Sequence, residues 1–192
     1  MTFSRLVLAS ASPRRHALLA AAGVKFEIVE SGIDETRDPR EAASIYAERI
    51  ARAKAMHVSQ RIPDALVLGA DTVVELRDMI LLKPVDASDA RSMLRALSGE
   101  THTVVTAYAV ARGGELIESA PVTARVTFRS LSDDEIDSYI ATGEPFDKAG
   151  SYGIQGEAAD FIAAVEGGRD TVMGLPVDAV LAALRRHGFN AA

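Results

Sequence analysis

Short apolar runs and amphipathic segments alternate along the first half of the chain. Residues 6–9 and 65–74 are mostly continuous apolar runs, which favour strands buried on both faces. Residues 14–22 have helical character, and Gly23 stands just after the last turn, where glycine commonly ends a helix. Residues 26–29 predict one further strand.

The sequence Asp38-Pro39-Arg40-Glu41 predicts the start of a second helix. It combines an acidic N-cap, a proline in the first turn and a glutamate three residues after the cap. The apolar positions that follow recur at helical spacing and predict one buried face: Ala42, Ile45, Tyr46, Ile50 and Ala53.

Turn and capping signals divide the second half of the chain. Arg77-Asp78 predicts a turn into a strand over 79–82, and Gly113-Gly114 predicts a hairpin. Ser132-Asp133-Asp134-Glu135 is a capping box for a helix that ends at Gly143. The remaining predicted elements are a helix over 87–97, strands over 101–111 and 116–128 with Pro121 at an edge or bulge, and a helix over 176–187.

This order of elements predicts an α/β fold. Strands and helices alternate first, and an antiparallel pair follows, which favours a mixed twisted sheet with flanking helices. At 192 residues the chain fits a single domain, and we expect two lobes around a nucleotide-binding cleft over residues 1–192.

The amino-acid composition excludes several classes of function. The chain has no cysteine, which excludes disulfides, zinc–thiolate sites and cysteine nucleophiles. The formal net charge is −6, with basic residues scattered among acidic ones, so we expect no binding of polymeric nucleic acid. No stretch approaches the roughly 20 apolar residues of a membrane span, and we expect a cytoplasmic protein that does not contact membranes.

The segment Ser10-Ala11-Ser12-Pro13-Arg14-Arg15 is a candidate phosphate site. It follows a predicted strand and opens a helix, where free backbone N–H groups and the positive helix end converge. Ser10 adds a hydroxyl group, and Arg14 and Arg15 add planar guanidinium groups suited to phosphate oxygens. The alternative is an ordinary serine cap beside two solvated arginines.

Two acidic positions are candidates for metal binding or activation of water. Asp71 follows an apolar run, at the edge of the sheet where open α/β folds bind ligands. Asp34-Glu35 offers hard oxygen ligands that can complete a magnesium-type site with Asp71. The alternatives are a turn aspartate that bonds its own backbone and a solvated acidic turn.

Two lysines and a glycine-rich loop complete the candidate residues. Lys83 precedes Pro84 at the end of an apolar run, and Lys54 lies on the second predicted helix; each can bridge phosphate oxygens or be solvated. The loop 143–156 contains four glycines beside acids, a lysine, a tyrosine and Gln155, which is typical of functional loops. A purely structural connector with positive φ angles is the alternative.

Six motifs in order resemble the Maf family of nucleoside-triphosphate pyrophosphatases. The resemblance runs from residue 6 to residue 189 and is carried by residues 8–15, 68–74, 83–84, 102–106, 143–156 and 173–176. It implies an α/β fold similar to that of the inosine-triphosphate pyrophosphatases. It also implies a homodimer and hydrolysis of a nucleoside triphosphate to the monophosphate and pyrophosphate with a divalent cation, Mg²⁺ or Mn²⁺.

The resemblance also implies roles for individual residues. Asp71 matches the family's proton acceptor and, with Glu35, would hold the metal. Arg14, Thr72 and Gln155 match specificity positions. The positions that match phosphate- or metal-handling residues are Ser10, Arg15, Glu35, Lys54 and Lys83.

The segment 147–156 resembles the branch of the family that acts on dTTP and UTP, and the Gln155 amide suits a pyrimidine edge. Alternatives are the 7-methyl-GTP branch, a nucleotide-binding regulator of cell division without turnover, and a sugar-nucleotide enzyme. Two positions depart from the family pattern. Leu82 stands where glycine is usual, and Arg169-Asp170-Thr171 stands where Ser-Asn is commoner.

Overall fold

The computed structural model describes residues 5–189. These residues form a fold built on one mixed β-sheet. The sheet has the strand order β2-β1-β3-β5-β6-β7, and β4 pairs with β3. Its seven strands are β1 (Leu6–Leu8), β2 (Glu27–Ile28), β3 (Leu66–Leu76), β4 (Met79–Leu81), β5 (Thr101–Arg112), β6 (Glu115–Phe128) and β7 (Ile162–Glu166).

Six α-helices accompany the sheet in the described chain. They are α1 (Pro13–Ala21), α2 (Ala43–Arg61), α3 (Ala87–Leu97), α4 (Asp133–Ala141), α5 (Arg169–Met173) and α6 (Val177–Arg186). Three short 3₁₀ helices span Glu144–Asp147, Ala149–Ser151 and Glu157–Phe161. Within residues 5–189, no helix is both long enough and apolar enough to cross a membrane.

Strand directions confirm the predicted α/β fold with a mixed sheet. β1 is parallel to both β2 and β3, and Leu8 pairs with Leu68. β3 and β4 are antiparallel, as are β6 and β7. Pro121 lies in β6 outside the stretch 125–128 that pairs with β7, so its missing N–H costs no hydrogen bond to that strand.

The chain divides into two compact units. The first unit contains the described residues up to Asp71, then Thr106–Val122, and the residues from Gly174 onward. Its core joins Leu8 and Leu68 of the parallel strands to Leu19 of α1 and Leu184 of α6. The second unit contains Thr72–Val105 and Thr123–Met173, with a core around Leu94, Phe128, Tyr139 and Tyr152. The single nucleotide-binding cleft stays a prediction.

Several local predictions from turns and caps are confirmed. α1 ends before Gly23, which has φ 75°, and the capping box at Ser132 and Glu135 starts α4. Arg77 and Asp78 both have positive φ in the β3–β4 turn, as a two-residue type I′ hairpin turn requires.

The predicted start of the second helix is wrong. α2 begins at Ala43, and its N-cap Ala42 has no capping side chain. Asp38 is engaged earlier, because its carboxylate accepts hydrogen bonds from the backbone N–H and the side chain of Arg40. Glu41 forms an ion pair with Arg49, eight residues further along the chain. The acidic residues therefore order a turn before α2 instead of capping it.

The buried face of α2 also differs from the prediction. Tyr46 and Ile50 are buried as expected, whereas Ile45 is 57% exposed. The small residues Ala47, Ala51 and Ala55 form the buried surface, because the sheet approaches the helix too closely for larger side chains. Neither β7 nor α5 is predicted by apolar periodicity, since both are only five residues long.

Gly69 on β3 marks the point where helix and strand are closest. A Cβ atom at this position would lie 2.8 Å from the backbone nitrogen of Ala55 and would also clash with the carbonyl oxygen of Ala51. Both obstacles are backbone atoms, which cannot rotate away. Glycine at position 69 therefore lets α2 lie directly against β3, with Lys54 of α2 beside Asp71 of β3.

We expect Gly69→Ala to lower the free energy of unfolding by about 2–3 kcal/mol, because the added methyl group forces the helix away from the strand. Urea denaturation measures the change. Gly23→Ala is the control, since a methyl group there has nothing within 4 Å and costs only the strain of its positive φ, about 1 kcal/mol. Equal losses in the two variants would contradict the close approach as the cause.

Candidate active site

Hydrogen bonds within the loop between β1 and α1 order the start of the helix. Ser12 is the N-cap of α1, and Pro13 is its first residue. Ser10 is buried, and its hydroxyl oxygen accepts hydrogen bonds from the Ser12 backbone N–H at 3.1 Å and from Arg15 Nη1 at 3.4 Å. The predicted strand–loop–helix junction is therefore present, and such junctions bind anions in many folds.

Arg15 is fixed across this loop. Its Nε donates a hydrogen bond to the carbonyl oxygen of Gly174 at 2.8 Å, which holds the guanidinium group beside Ser10. Burial lowers the pKa of Arg15, the negative charge of Asp71 opposes that shift, and the positive charge of Arg14 adds to it. The two arginines and Asp71 thus act on one another electrostatically.

Lys54 joins the two predicted acidic residues. Its ammonium nitrogen lies 2.8 Å from Asp71 Oδ1 and 2.9 Å from Glu35 Oε1. The side chains of Lys54 and Asp71 are only 9% and 10% exposed, whereas that of Glu35 is 45% exposed. Three residues far apart in sequence therefore meet at one point, and two of them form a buried ion pair.

The carboxyl group of Asp71 has an unusual protonation equilibrium. Burial raises its pKa above the ordinary value, while the positive charges of Lys54 and Arg15 oppose the rise. A carboxylate with a raised pKa is a stronger proton acceptor than a solvated one. The site therefore contains a base held in place by a cation.

The parallel pairing of β1 and β3 explains why the β1–α1 loop and Asp71 lie on the same side of the sheet. β1 ends at Leu8, opposite Leu68, so β3 continues beyond it and Asp71 lies three residues past the last pair. Asp71 is thus inside the 11-residue β3, although it follows the part that pairs with β1. Both features follow the stretch in which β1 and β3 pair, on the side where β1 ends and where open sheets bind ligands.

Helix α2 holds the Glu35 segment in place through its side chains. The Tyr46 hydroxyl donates to the backbone carbonyl oxygen of Glu35 at 2.8 Å, and Arg49 Nη2 donates to that of Thr36 at 3.1 Å. Burial and the charges of Asp71 and Glu35 raise the pKa of Tyr46 to about 12, so its phenol remains a donor.

The neighbouring acids Asp34 and Glu35 bind different partners. Asp34 accepts hydrogen bonds from the backbone N–H and the hydroxyl group of Thr36, which makes it a turn residue. Only Glu35 reaches Lys54. Apolar periodicity predicts only that Tyr46 lies on the buried face; its spacing of eight residues from Lys54 is the signal that both lie on the same side of α2.

The two carboxylates predicted to bind a metal are paired with the Lys54 ammonium group. Among residues 5–189, no group of three or more His, Asp or Glu side chains is arranged to hold a metal ion. Mg²⁺ commonly binds through one or two carboxylates plus substrate phosphates. Glu35 and Asp71 both contact the Lys54 ammonium nitrogen, so a metal site at these two carboxylates, completed by phosphate oxygens, stays a prediction.

Thr72, Lys83 and Gln155 belong to the second unit. Thr72 is half-buried on β3 directly after Asp71. Lys83 is exposed and makes no hydrogen bond or ion pair with any residue from 5 to 189. Pro84 beside it is buried. Gln155 is also exposed.

The departures from the family pattern are accommodated. Leu82 does not have the positive φ that would require glycine, and its carbonyl oxygen accepts a hydrogen bond from the Gly150 N–H at 3.1 Å. This bond fixes the backbone next to Lys83. Asp170 accepts a hydrogen bond from the N–H of Thr171 at 2.8 Å, which supports the start of α5.

His102 is the buried histidine of the second unit. Its Nε2 lies 2.7 Å from the Tyr152 hydroxyl oxygen, and its ring packs edge-on against Phe128. Burial lowers the pKa of His102 to about 4, so the imidazole is neutral at pH 7. The contact with Tyr152 places His102 next to the glycine-rich loop.

Comparison with known proteins identifies the family. Residues 5–187 match the family described as Maf-like protein. The chain belongs to the Maf family.

Curated relatives of this Maf chain share about half of its residues. A dTTP/UTP pyrophosphatase of Escherichia coli O157:H7 is 50% identical over 173 residues, which cover 90% of this chain and 87% of that protein. One from Chromobacterium violaceum is 47% identical over 192 residues, covering 97% and 96%. One from Myxococcus xanthus DK1622 is 49% identical over 184 residues, covering 96% and 93%.

Among solved structures, the chain matches that of a nucleoside-triphosphatase, also named dITP/XTP pyrophosphatase, from Mycobacterium abscessus. It is 18% identical, with a TM-score of 0.46, and the match covers 94% of this chain and 93% of that one.

We expect Lys54→Met to lower the free energy of unfolding of this Maf protein by about 3 kcal/mol, because Asp71 loses its partner in a buried position. Adding Asp71→Asn should restore most of the loss, since the amide carries no charge. Chemical denaturation of both single variants and the double variant measures the coupling. Lys25→Met, at an exposed lysine, is the control. Additive effects would contradict the pairing.

We expect His102 to destabilise the fold as pH falls. Its pKa is lower in the folded chain than its ordinary value of 6.5, so the stability it confers above pH 6.5 is lost as pH falls toward about 4. The loss reaches up to about 3 kcal/mol. His102→Gln should flatten the dependence of the free energy of unfolding on pH in this window, as measured by urea denaturation at a series of pH values.

Proposed function

We propose that this Maf protein is a nucleoside-triphosphate pyrophosphatase that hydrolyses dTTP and UTP to the monophosphate and pyrophosphate. The observation that carries the chemistry is the buried ion pair between Lys54 and Asp71, whose ammonium group also contacts Glu35. This pair lies on the side of the sheet where the loop 10–15, with Ser10 and Arg15, follows β1. The choice of substrate is supported by relatives that are 47–50% identical over at least 87% of both chains and named dTTP/UTP pyrophosphatase.

Cationic and hydroxyl groups bind the triphosphate in this proposal. Ser10 and the first turn of α1 supply N–H and O–H donors to phosphate oxygens. Arg14 and Arg15 supply guanidinium groups, which bind such oxygens in pairs. Lys54 and Lys83 add point charges, Lys83 from an exposed position whose backbone is fixed by the bond between Leu82 and Gly150.

The hydrolytic step uses Asp71. A water oxygen attacks the α-phosphorus, its proton passes to the Asp71 carboxylate, and the bond from the α-phosphorus to the bridging oxygen breaks to release pyrophosphate. The raised pKa of Asp71 supports this role, because proton transfer is most effective when the acceptor's pKa lies nearer the working pH.

Glu35 and Asp71 would also hold a divalent cation, Mg²⁺ or Mn²⁺. When bound, that ion supplies positive charge against the triphosphate and the leaving pyrophosphate. Lys54, which bridges both carboxylates, keeps their charges balanced before the cation and substrate arrive. Tyr46 orients Glu35 through its backbone.

The pyrimidine base would be recognised by Gln155, with Thr72 and Arg14 as further specificity positions. A glutamine amide offers one acceptor oxygen and one donor NH₂ group. Thymine and uracil present the complementary pair, the N3–H donor and the O4 acceptor. We further propose a cytoplasmic homodimer that binds neither membranes nor polymeric nucleic acid, in keeping with the net charge of −6.

The decisive experiment is a panel of canonical triphosphates and 7-methyl-GTP, with pyrophosphate and orthophosphate measured separately. We expect pyrophosphate from dTTP and UTP in the presence of Mg²⁺ or Mn²⁺. Asp71→Asn should lower kcat by at least about 100-fold. Asp78→Asn makes the same chemical change on an exposed turn and should behave as wild type.

Each contrary outcome removes a defined part of the proposal. Stepwise release of orthophosphate would overturn the reaction. A preference for 7-methyl-GTP would overturn the base assignment. Full activity of Asp71→Asn would overturn the role of this residue, and nucleotide binding without any turnover would indicate a regulator.

A further inference from the structure

Glu144 lies near the start of the 143–156 loop, which also carries Gln155. Its Oε1 accepts a hydrogen bond from the Tyr139 hydroxyl at 3.2 Å, and its Oε2 accepts one from the Glu157 backbone N–H at 3.2 Å. The carboxylate thus links helix α4 to the backbone two residues after Gln155. Tyr139 is itself buried, so the anchor point is rigid.

Gly156 shows how closely the carboxylate approaches this backbone. A Cβ atom at position 156 would lie 2.6 Å from Oε1 and 2.7 Å from Oε2 of Glu144, and its φ of 89° is one that side chains disfavour. Glycine at position 156 therefore makes room for the carboxylate. The contact between Glu144 and this backbone depends on the absence of a side chain at residue 156.

Lys148 supports the backbone before Gln155. A Cβ atom at Gly153 would lie 2.9 Å from Cε of Lys148, so the lysine stem packs directly against this glycine. The Lys148 ammonium group donates to the carbonyl oxygen of Glu144 at 2.5 Å and to Asp147 Oδ1 at 2.6 Å. Both flanks of Gln155 are therefore held by the 144–148 segment.

The residue next to Gln155 anchors it to the core. Ile154 is 4% exposed, whereas Gln155 is exposed. Two residues further back, Tyr152 is buried and bonded to His102. The backbone is thus fixed on both sides of Gln155, and the glutamine side chain projects outward.

We propose that Glu144 is a positioning residue for base selection. It holds the backbone of Gly156 and Glu157, so that the Gln155 amide presents one fixed pattern of donor and acceptor. The inference rests on the proposed function. Cytosine presents the reverse of the uracil pattern, an acceptor at N3 and a donor at N4. A fixed amide discriminates between them, whereas a mobile one can turn to serve either base.

The test compares kcat/KM for dTTP and dCTP in wild type and in Glu144→Gln, which keeps the shape of the side chain and removes its charge and one acceptor. We expect the dTTP:dCTP ratio to fall about tenfold, mainly through a higher KM for dTTP. The ratio is independent of the fraction of folded enzyme. Gly156→Ala, which displaces the Glu144 carboxylate without changing it, should lower the ratio in the same direction.

Two controls separate positioning from general stabilisation. Glu157→Gln removes a neighbouring charge whose side chain makes no hydrogen bond or ion pair within residues 5–189, and it should keep the wild-type ratio. In a Gln155→Ala background, Glu144→Gln should cause no further change in the ratio, because its effect passes through Gln155.

The outcomes distinguish this inference from the proposed function. If wild type releases no pyrophosphate from any triphosphate, the proposed function fails. If wild type prefers dTTP but Glu144→Gln keeps the wild-type ratio, or lowers kcat/KM equally for both substrates, the positioning role of Glu144 is overturned.

Discussion

The buried ion pair between Lys54 and Asp71 is the interaction on which the candidate site depends. A carboxylate this deeply buried needs a cation beside it, and an ammonium group on a long side chain needs a rigid support. Helix α2 and strand β3 supply the two partners, and both are held in place by the apolar packing around them. The same ammonium group then reaches the more exposed Glu35, so one cation organises two acids.

That pair is possible only because the helix and the strand are unusually close. Gly69 removes the side chain that would separate them, and alanines on α2 complete the contact. The packing therefore has a chemical purpose as well as a structural one. It places Asp71, whose pKa is raised by burial, on the side of the sheet where the loop 10–15 begins. The positive charges of Lys54 and Arg15 offset the cost of burying the Asp71 carboxylate.

The second unit uses a different strategy to present polar groups. The side chains of Lys83 and Gln155 are exposed. Neighbouring residues hold the backbone beside each of them, while the side chains themselves are left free of such contacts within residues 5–189. Leu82 accepts the Gly150 N–H beside Lys83, and Glu144 binds the backbone that follows Gln155. Side chains left open to solvent can meet a ligand, while fixed backbones limit the conformational entropy lost on binding.

The sequence alone determined the α/β fold, most element boundaries and the junction at Ser10–Arg15, because apolar periodicity, glycines and capping residues act over a few positions. It failed at the start of α2, where Asp38 and Glu41 bind Arg40 and Arg49 instead of capping the helix. Tertiary structure alone decided which acids meet. Lys54 joins Glu35 and Asp71 across long stretches of chain, and Glu144 reaches Glu157. Such contacts depend on how strands and helices pack, which local patterns do not encode.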